Sequence, residues 1–205
     1  MTGHADLGYH TNSANDTTDM LVSSEANHKW GNSLTLDLIG KLNHQNNKTG
    51  SDDSLLTGIQ LGYQPKRVYY FTDASYRYDT SSGIENQIDS GIGIGYDFFP
   101  DDNLPRLKMQ FGAYSRLGDE EKFLGKYKAD FSVRIYGPIS FREQAGIEVN
   151  LDHADYYLIA DTSLHIKASE RINVGIGLEY GRNSEPIAGY DKDIRKWRST
   201  VGVKF

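Results

Sequence analysis

The chain has no cysteine, which removes disulfides, thiolate metal sites and cysteine nucleophiles from consideration in one step. It also lacks any apolar run near the roughly 18 residues that a membrane-spanning helix needs. The greasiest short patch is Val68-Tyr69-Tyr70-Phe71, and helical periodicity is missing throughout. Basic charge is not in excess: the formal net charge is −6, which argues against a general nucleic-acid partner. The start, Met1-Thr2-Gly3-His4, has neither the basic residues nor the apolar stretch of a secretory signal, so a mature chain carrying an added Met is expected. Proline is sparse, 5 residues against 21 Gly and 14 Tyr, and the latter two types recur in barrel walls and interfacial girdles. No linker divides residues 1–205, which read as one domain.

What is present is alternation of period two. At the end of the chain Trp197, Ser199, Val201, Val203 and Phe205 alternate with Arg198, Thr200, Gly202 and Lys204, so one face of a strand is apolar or small and the other polar. At the edge of a soluble sheet such a strand would recruit other chains. In a membrane barrel it pairs with the first strand and turns its apolar face to lipid. Strands are expected at residues 3–11, 20–30, 33–45, 54–64, 67–78, 86–99, 105–116, 125–136, 139–151, 157–168, 171–182 and 194–205, most of them matching the roughly 9–11 residues of a tilted spanning strand. Odd-numbered gaps such as Asn46–Asp53, Asp79–Glu85 and Asn183–Asp193 read as long polar loops, and even-numbered ones such as Gly31-Asn32, Gly137-Pro138 and Ser169-Glu170 as tight turns. Long outer loops and short periplasmic turns are the asymmetry of outer-membrane barrels.

One face of these strands can be followed from end to end: Leu34, Leu36, Leu38 and Leu42; Leu55, Ile59, Leu61 and Tyr63; Ile88, Ile92, Ile94 and Tyr96; Ile172, Val174, Ile176, Leu178 and Tyr180. Glu143 is the one clear charge on it, and a headgroup-level position or a bulge would tolerate it. Trp30, Tyr63, Tyr78, Phe98, Tyr127 and Tyr180 fall towards expected strand ends, as an interfacial belt requires. The opposite face is charged, which suits either a solvated exterior or a wet lumen. A soluble barrel this wide would need an apolar core broader than side chains can fill. The expected fold is therefore all-β, a single antiparallel up-and-down transmembrane β-barrel of about twelve strands, monomeric and surrounded by outer-membrane lipid and lipopolysaccharide. Its closing strand, ending in Phe205, is the expected handle for the barrel-assembly machinery.

The run Ala74-Ser75-Tyr76-Arg77-Tyr78-Asp79, then Gly83-Ile84 and Gly91-Ile92-Gly93-Ile94-Gly95-Tyr96, resembles the centre of a bacterial family of salt-induced outer-membrane proteins, domain of unknown function family 481. Leu178-Glu179-Tyr180, Ser184-Glu185-Pro186 and Val201-Gly202-Val203-Lys204-Phe205 are similar to that family's end. The resemblance extends from about Ala5 onward and implies location and fold. It carries over no activity and no functional residue.

Several patterns invite a chemical reading. Gly91, Gly93 and Gly95 hint at a dinucleotide fingerprint, but Tyr96 follows and a strand continues where a helix should begin, so the reading fails. The glycines are expected instead to make room for Tyr69, Phe71 and Tyr114. Inward charges on the first six strands are mainly acidic, among them Asp37, Asp73 and Asp89, and those on strands seven to nine mainly basic, among them Lys108, Arg116, Lys128, Arg134 and Arg142. These eight are the candidate lumen-lining residues, and unlike walls would set a field across a pore. The alternative is that the charges pair across a narrow interior and plug it. Asp152-His153-Ala154-Asp155 would permit acid–histidine hydrolysis in an outer loop, yet no nucleophile elbow accompanies it. The expectation is a non-enzyme with no cofactor and no metal: a narrow channel for small polar or charged solutes, with a plugged envelope-stress barrel and an outer-loop hydrolase or lipid-modifying enzyme as alternatives. Acidic outer loops, Asp52-Asp53 and Asp119-Glu120-Glu121, are candidates for weak divalent-ion contacts with lipopolysaccharide.

Overall fold

The computed structural model describes residues 2–12, 17–31, 33–47, 50–80, 83–99, 105–118, 121–153, 155–185 and 192–204. They form twelve strands: β1 (Thr2–Asn12), β2 (Thr17–Trp30), β3 (Leu34–Asn47), β4 (Gly50–Tyr63), β5 (Val68–Asp79), β6 (Ile84–Asp97), β7 (Arg106–Leu117), β8 (Lys122–Tyr136), β9 (Ile139–Asn150), β10 (Tyr156–Lys167), β11 (Ile172–Asn183) and β12 (Asp193–Lys204). Each pairs with its neighbours in sequence, and β1 pairs with β12, so the sheet closes on itself. Every ladder is antiparallel, from β1–β2 to β11–β12. The fold is the all-β up-and-down barrel that the alternation implies.

The register explains why the alternation matters. Leu38 lies opposite Ile59, Ile59 opposite Ala74, Tyr70 opposite Ile94, Ile94 opposite Phe111, Phe111 opposite Tyr127 and Tyr127 opposite Ile147. The apolar residues thus form continuous bands around one side of the wall, and a slip of one residue on any strand would turn its whole set to the other side. That side is the exterior. Ile92 is 68% exposed and Trp197 61%, whereas the carboxylate residues Asp89 and Asp97, on the other face, are 4% and 2% exposed. A water-soluble barrel shows the reverse distribution; apolar bands outside and charges inside suit a bilayer.

Tight turns sit where the sequence places them, with left-handed glycines at Gly31 (φ 59°) and Gly137 (φ 51°), a conformation costly for a residue with a Cβ. The loops differ from expectation. The Asn46–Asp53 gap is largely ladder, pairing Asn46 with Ser51 and Asn47 with Gly50. Ladder bonds come from the backbone, so polar residues extend a hairpin beyond the membrane as well as apolar ones do. Here the extension is fastened by His44 Nδ1 to Asp53 Oδ1 at 2.5 Å and by the Asp53 N–H donating to Thr80 Oγ1 at 2.8 Å. Strand β8 likewise begins earlier than expected, which places Tyr127 well inside it, against Phe111 with ring centroids 4.8 Å apart. Glu143 stays on the outer face, where the Thr162 hydroxyl donates to its Oε2 at 2.5 Å. Phe205, Asp119, Glu120 and the Pro100–Leu104 turn lie outside the described residues.

Candidate functional site

The lumen begins as a wall of glycine with aromatic rings laid on it. On β6, Gly91, Gly93 and Gly95 face inward, and a Cβ at each would collide with the ring of Tyr114, Phe71 or Tyr69 respectively. The three rings are buried. Their bulk lies along the wall because the facing positions are bare backbone, as expected of inward glycines.

Beside this wall the charges are joined. Arg116 donates from Nε to Asp89 Oδ1 and from Nη2 to Asp89 Oδ2, both at 2.7 Å, and reaches Glu148 Oε2 at 2.6 Å. Lys126 Nζ completes the set, 2.6 Å from Asp89 Oδ2 and 3.0 Å from Glu148 Oε1. The same ammonium stands 4.5 Å from the centre of the Tyr114 ring, and the Tyr114 hydroxyl donates to Asp73 Oδ2 at 2.7 Å. Two cations and two anions thus satisfy one another on β6–β9, with an aromatic linking them to β5. Charges held this far from water persist only when paired and hydrogen-bonded.

Elsewhere the pairing follows the same pattern. Asp130 on β8 is met by Arg142 at 3.2 Å and by the Gln144 amide at 2.6 Å. Asp97 faces Lys108 at 3.6 Å, and Lys108 stands 5.4 Å from the Tyr69 ring centre. Asn27 donates its amide to Asp37. Lys128 and Arg134 alternate in register with these residues on β8, and Arg134 is exposed beside a bulge next to the β8–β9 turn. Of the eight candidate residues, Asp89 and Arg116 meet directly, while Asp73 joins their network through Tyr114. In place of two unlike walls facing each other across the bore, acids and bases neutralise one another mainly between nearby strands.

The longest-reaching pairs involve residues outside those eight. Lys41 on β3 donates to Glu179 on β11 at 2.8 Å, passing inside β2, β1 and β12. Arg198 on β12 pairs with Asp161 and lies 3.9 Å from Glu179. Arg77 holds Asp79 at 3.0 Å and sits 5.7 Å from the ring centre of Tyr157 on β10. Inward parity marks each residue in the sequence, but partners four strands apart are set by the curvature of the closed wall. These groups border a cavity of about 260 Å³, whose lining includes Leu21, Leu56 and Ile159 as well as Lys41, Lys196 and Arg198.

Around His153 the geometry is that of a loop brace. Asp152 accepts the Phe123 N–H at 3.3 Å, and its own N–H donates to Asn150 Oδ1 at 3.0 Å. Ala154 lies outside the described residues. Among the described residues no cluster of three or more His, Asp or Glu side chains could hold a metal ion.

Comparison with known proteins agrees with this architecture. The profile of a family described as "Protein of unknown function, DUF481" matches residues 5–205. No curated protein matches the chain. Among solved structures, the NanC porin is similar with a TM-score of 0.64 at 11% identity, covering 98% of each chain. The translocator domain of the autotransporter NalP from Neisseria meningitidis gives 0.53 at 12% identity, covering 100% of this chain and 86% of its own. The outer membrane protein OmpT from Vibrio cholerae gives 0.50 at 6% identity, with coverages of 100% and 97%. At these identities the likeness is one of fold: an outer-membrane β-barrel.

Proposed function

The chain belongs to the DUF481 family of proteins of unknown function, and from that premise we propose that it is a narrow outer-membrane channel for small polar or charged solutes, without catalytic activity. The observation that carries this reading is the flat placement of the inward aromatics. Tyr69, Phe71 and Tyr114 lie on Gly95, Gly93 and Gly91, so these three buried rings lie along the wall and not across the bore. A barrel of intermediate strand number has room for either a lumen or a plug, and this arrangement favours a lumen. The apolar exterior supports residence in the outer membrane, as does the likeness in fold to the NanC porin.

Asp37, Asp73, Asp89, Lys108, Arg116, Lys128, Arg134 and Arg142 are the residues this reading assigns to the lining. Selectivity would come from those with water beside them, Arg134 above all, rather than from the closed set around Asp89. The Asp89–Arg116–Lys126–Glu148 network favours a second reading, a barrel plugged by its own ion pairs. Single-channel recording of the refolded protein in a planar bilayer separates the two. Reproducible conductance steps, with a reversal potential that moves in Arg134→Gln/Arg142→Gln, are expected of the channel. A folded, heat-modifiable barrel that stays electrically silent would establish the plug.

A further inference from the structure

The wall is not equally zipped all the way round. The β1–β2 ladder runs the whole length of β1, from Thr2↔Asn27 to Asn12↔Thr17, and β11–β12 runs from Ile172↔Val203 to Arg182↔Asp193. Between β1 and β12 the ladder extends only from His4↔Lys204 to Gly8↔Thr200. Among the described residues, Tyr9–Asn12 of β1 and Lys196–Ser199 of β12 therefore face each other without a ladder pair, on the loop side of the barrel. Unpaired backbone is costly in hydrocarbon, so this edge needs another way to be satisfied.

Two features lie on either side of that slot. Inside, the Lys41–Glu179 pair connects β3 to β11 behind it, and Arg198 approaches Glu179 from the slot's own edge. The adjoining cavity combines apolar Leu21, Leu56 and Ile159 with basic Lys41, Lys196 and Arg198 gathered around the acidic Glu179. Outside, Trp197 is 61% exposed on the lipid face of the same edge. An apolar surface within reach of the bilayer, next to three cations that face the two carboxylates Glu179 and Asp161 and so keep one positive charge in excess, is complementary to a molecule with a hydrocarbon tail and a singly anionic head. The cavity, about 260 Å³, falls just below the roughly 300–1,000 Å³ of small-molecule sites, which suits one acyl chain and not a two-chain phospholipid.

We propose that the unzipped half of the β1–β12 seam is a lateral opening through which a single-chain anionic amphiphile passes between the outer-leaflet side of the bilayer and the lumenal cavity, its head held by Lys41, Lys196 and Arg198. This does not depend on the channel reading, because the route runs through the wall and not along the bore. The absence of native cysteine allows a clean test. Tyr9→Cys/Ser199→Cys places a disulfide one step beyond the last ladder pair and locks the slot. Leu7→Cys/Val201→Cys bridges a pair already formed and controls for cross-linking itself. A diazirine-bearing fatty acid is incorporated into proteoliposomes, photolysed, and the labelled residues are mapped by mass spectrometry. Labelling at Leu21, Leu56 and Ile159 is expected in the cysteine-free protein and in the control. It should be lost in the oxidised Tyr9/Ser199 variant and restored by reduction, while labelling at lipid-facing Ile92 stays constant throughout. The alcohol analogue, without the anionic head, should label the lumenal residues less. Lumenal labelling that survives the lock, or that never occurs in the cysteine-free protein, overturns the proposal; single-channel conductance, measured in parallel, tests the bore separately.

Discussion

Arg116 grips Asp89 through two parallel contacts, Nε to Oδ1 and Nη2 to Oδ2, each 2.7 Å. That bidentate geometry is the strong form of the arginine–carboxylate pair, and with Asp89 4% exposed it is held away from water. Replacing one partner leaves a carboxylate with half its compensation. Arg116→Met should cost about 3 kcal/mol, read as a lowered urea midpoint for unfolding from micelles. In Asp89→Leu/Arg116→Met the loss should be smaller than the sum of the single losses, because the second replacement removes the charge the first one stranded.

The glycine wall makes a second, purely steric prediction. Gly93 is crossed by the Phe71 ring and approached by the backbone carbonyl of Phe111. A ring can rotate away, but a carbonyl in a ladder cannot. Gly93→Val should therefore reduce the yield of folded, heat-modifiable barrel severely, whereas Phe71→Ala in the same assay should still fold. If Gly93→Val refolds as well as the parent, the rings do not depend on a bare wall.

The exterior can be tested by depth. Ile92 lies near the middle of β6, between Ile84 and Asp97, and is 68% exposed. Ile92→Arg should cost about 2–4 kcal/mol, the range found for a cation at a bilayer midplane, and Val203→Arg, near the end of β12, about 0–1 kcal/mol. Equilibrium unfolding in lipid vesicles measures both. Equal costs would mean that the apolar bands do not follow the membrane.

The fold was legible in the sequence because alternation is a strictly local property: Ile92, Ile94 and Tyr96 announce an outer face without reference to any other strand. Tight turns were legible for the same reason, since Gly137-Pro138 specifies its own geometry. Loop lengths were less so. Asn46 and Ser51 pair in an extended hairpin although nothing in their polarity distinguishes ladder from loop. Charge partners were the least accessible. Parity places Lys41 and Glu179 on the inner face, but their meeting at 2.8 Å depends on how far the closed wall curves between β3 and β11. The inner acids and bases therefore looked like two separated blocks in sequence order, whereas residues such as Asp89, Arg116 and Lys126 lie on successive strands and join.

That local neutralisation gives the bore a testable sign response. Lys41, Arg198, Glu179 and Asp161 form one connected group beside the cavity. Lys41→Met/Arg198→Gln removes two positive charges, leaving Asp161 without its arginine and Glu179 with Lys196 alone opposite it, so the reversal potential under a salt gradient should move towards the cation limit. Glu179→Gln/Asp161→Asn removes two negative charges and should move it towards the anion limit. Both shifts should be large near 0.1 M salt, where the Debye length is about 10 Å, and should shrink near 1 M, where it is about 3 Å. Reversal potentials that are the same for both variants at low salt would mean that ions do not pass this group, and the conducting path, if recorded, would have to lie elsewhere in the lumen.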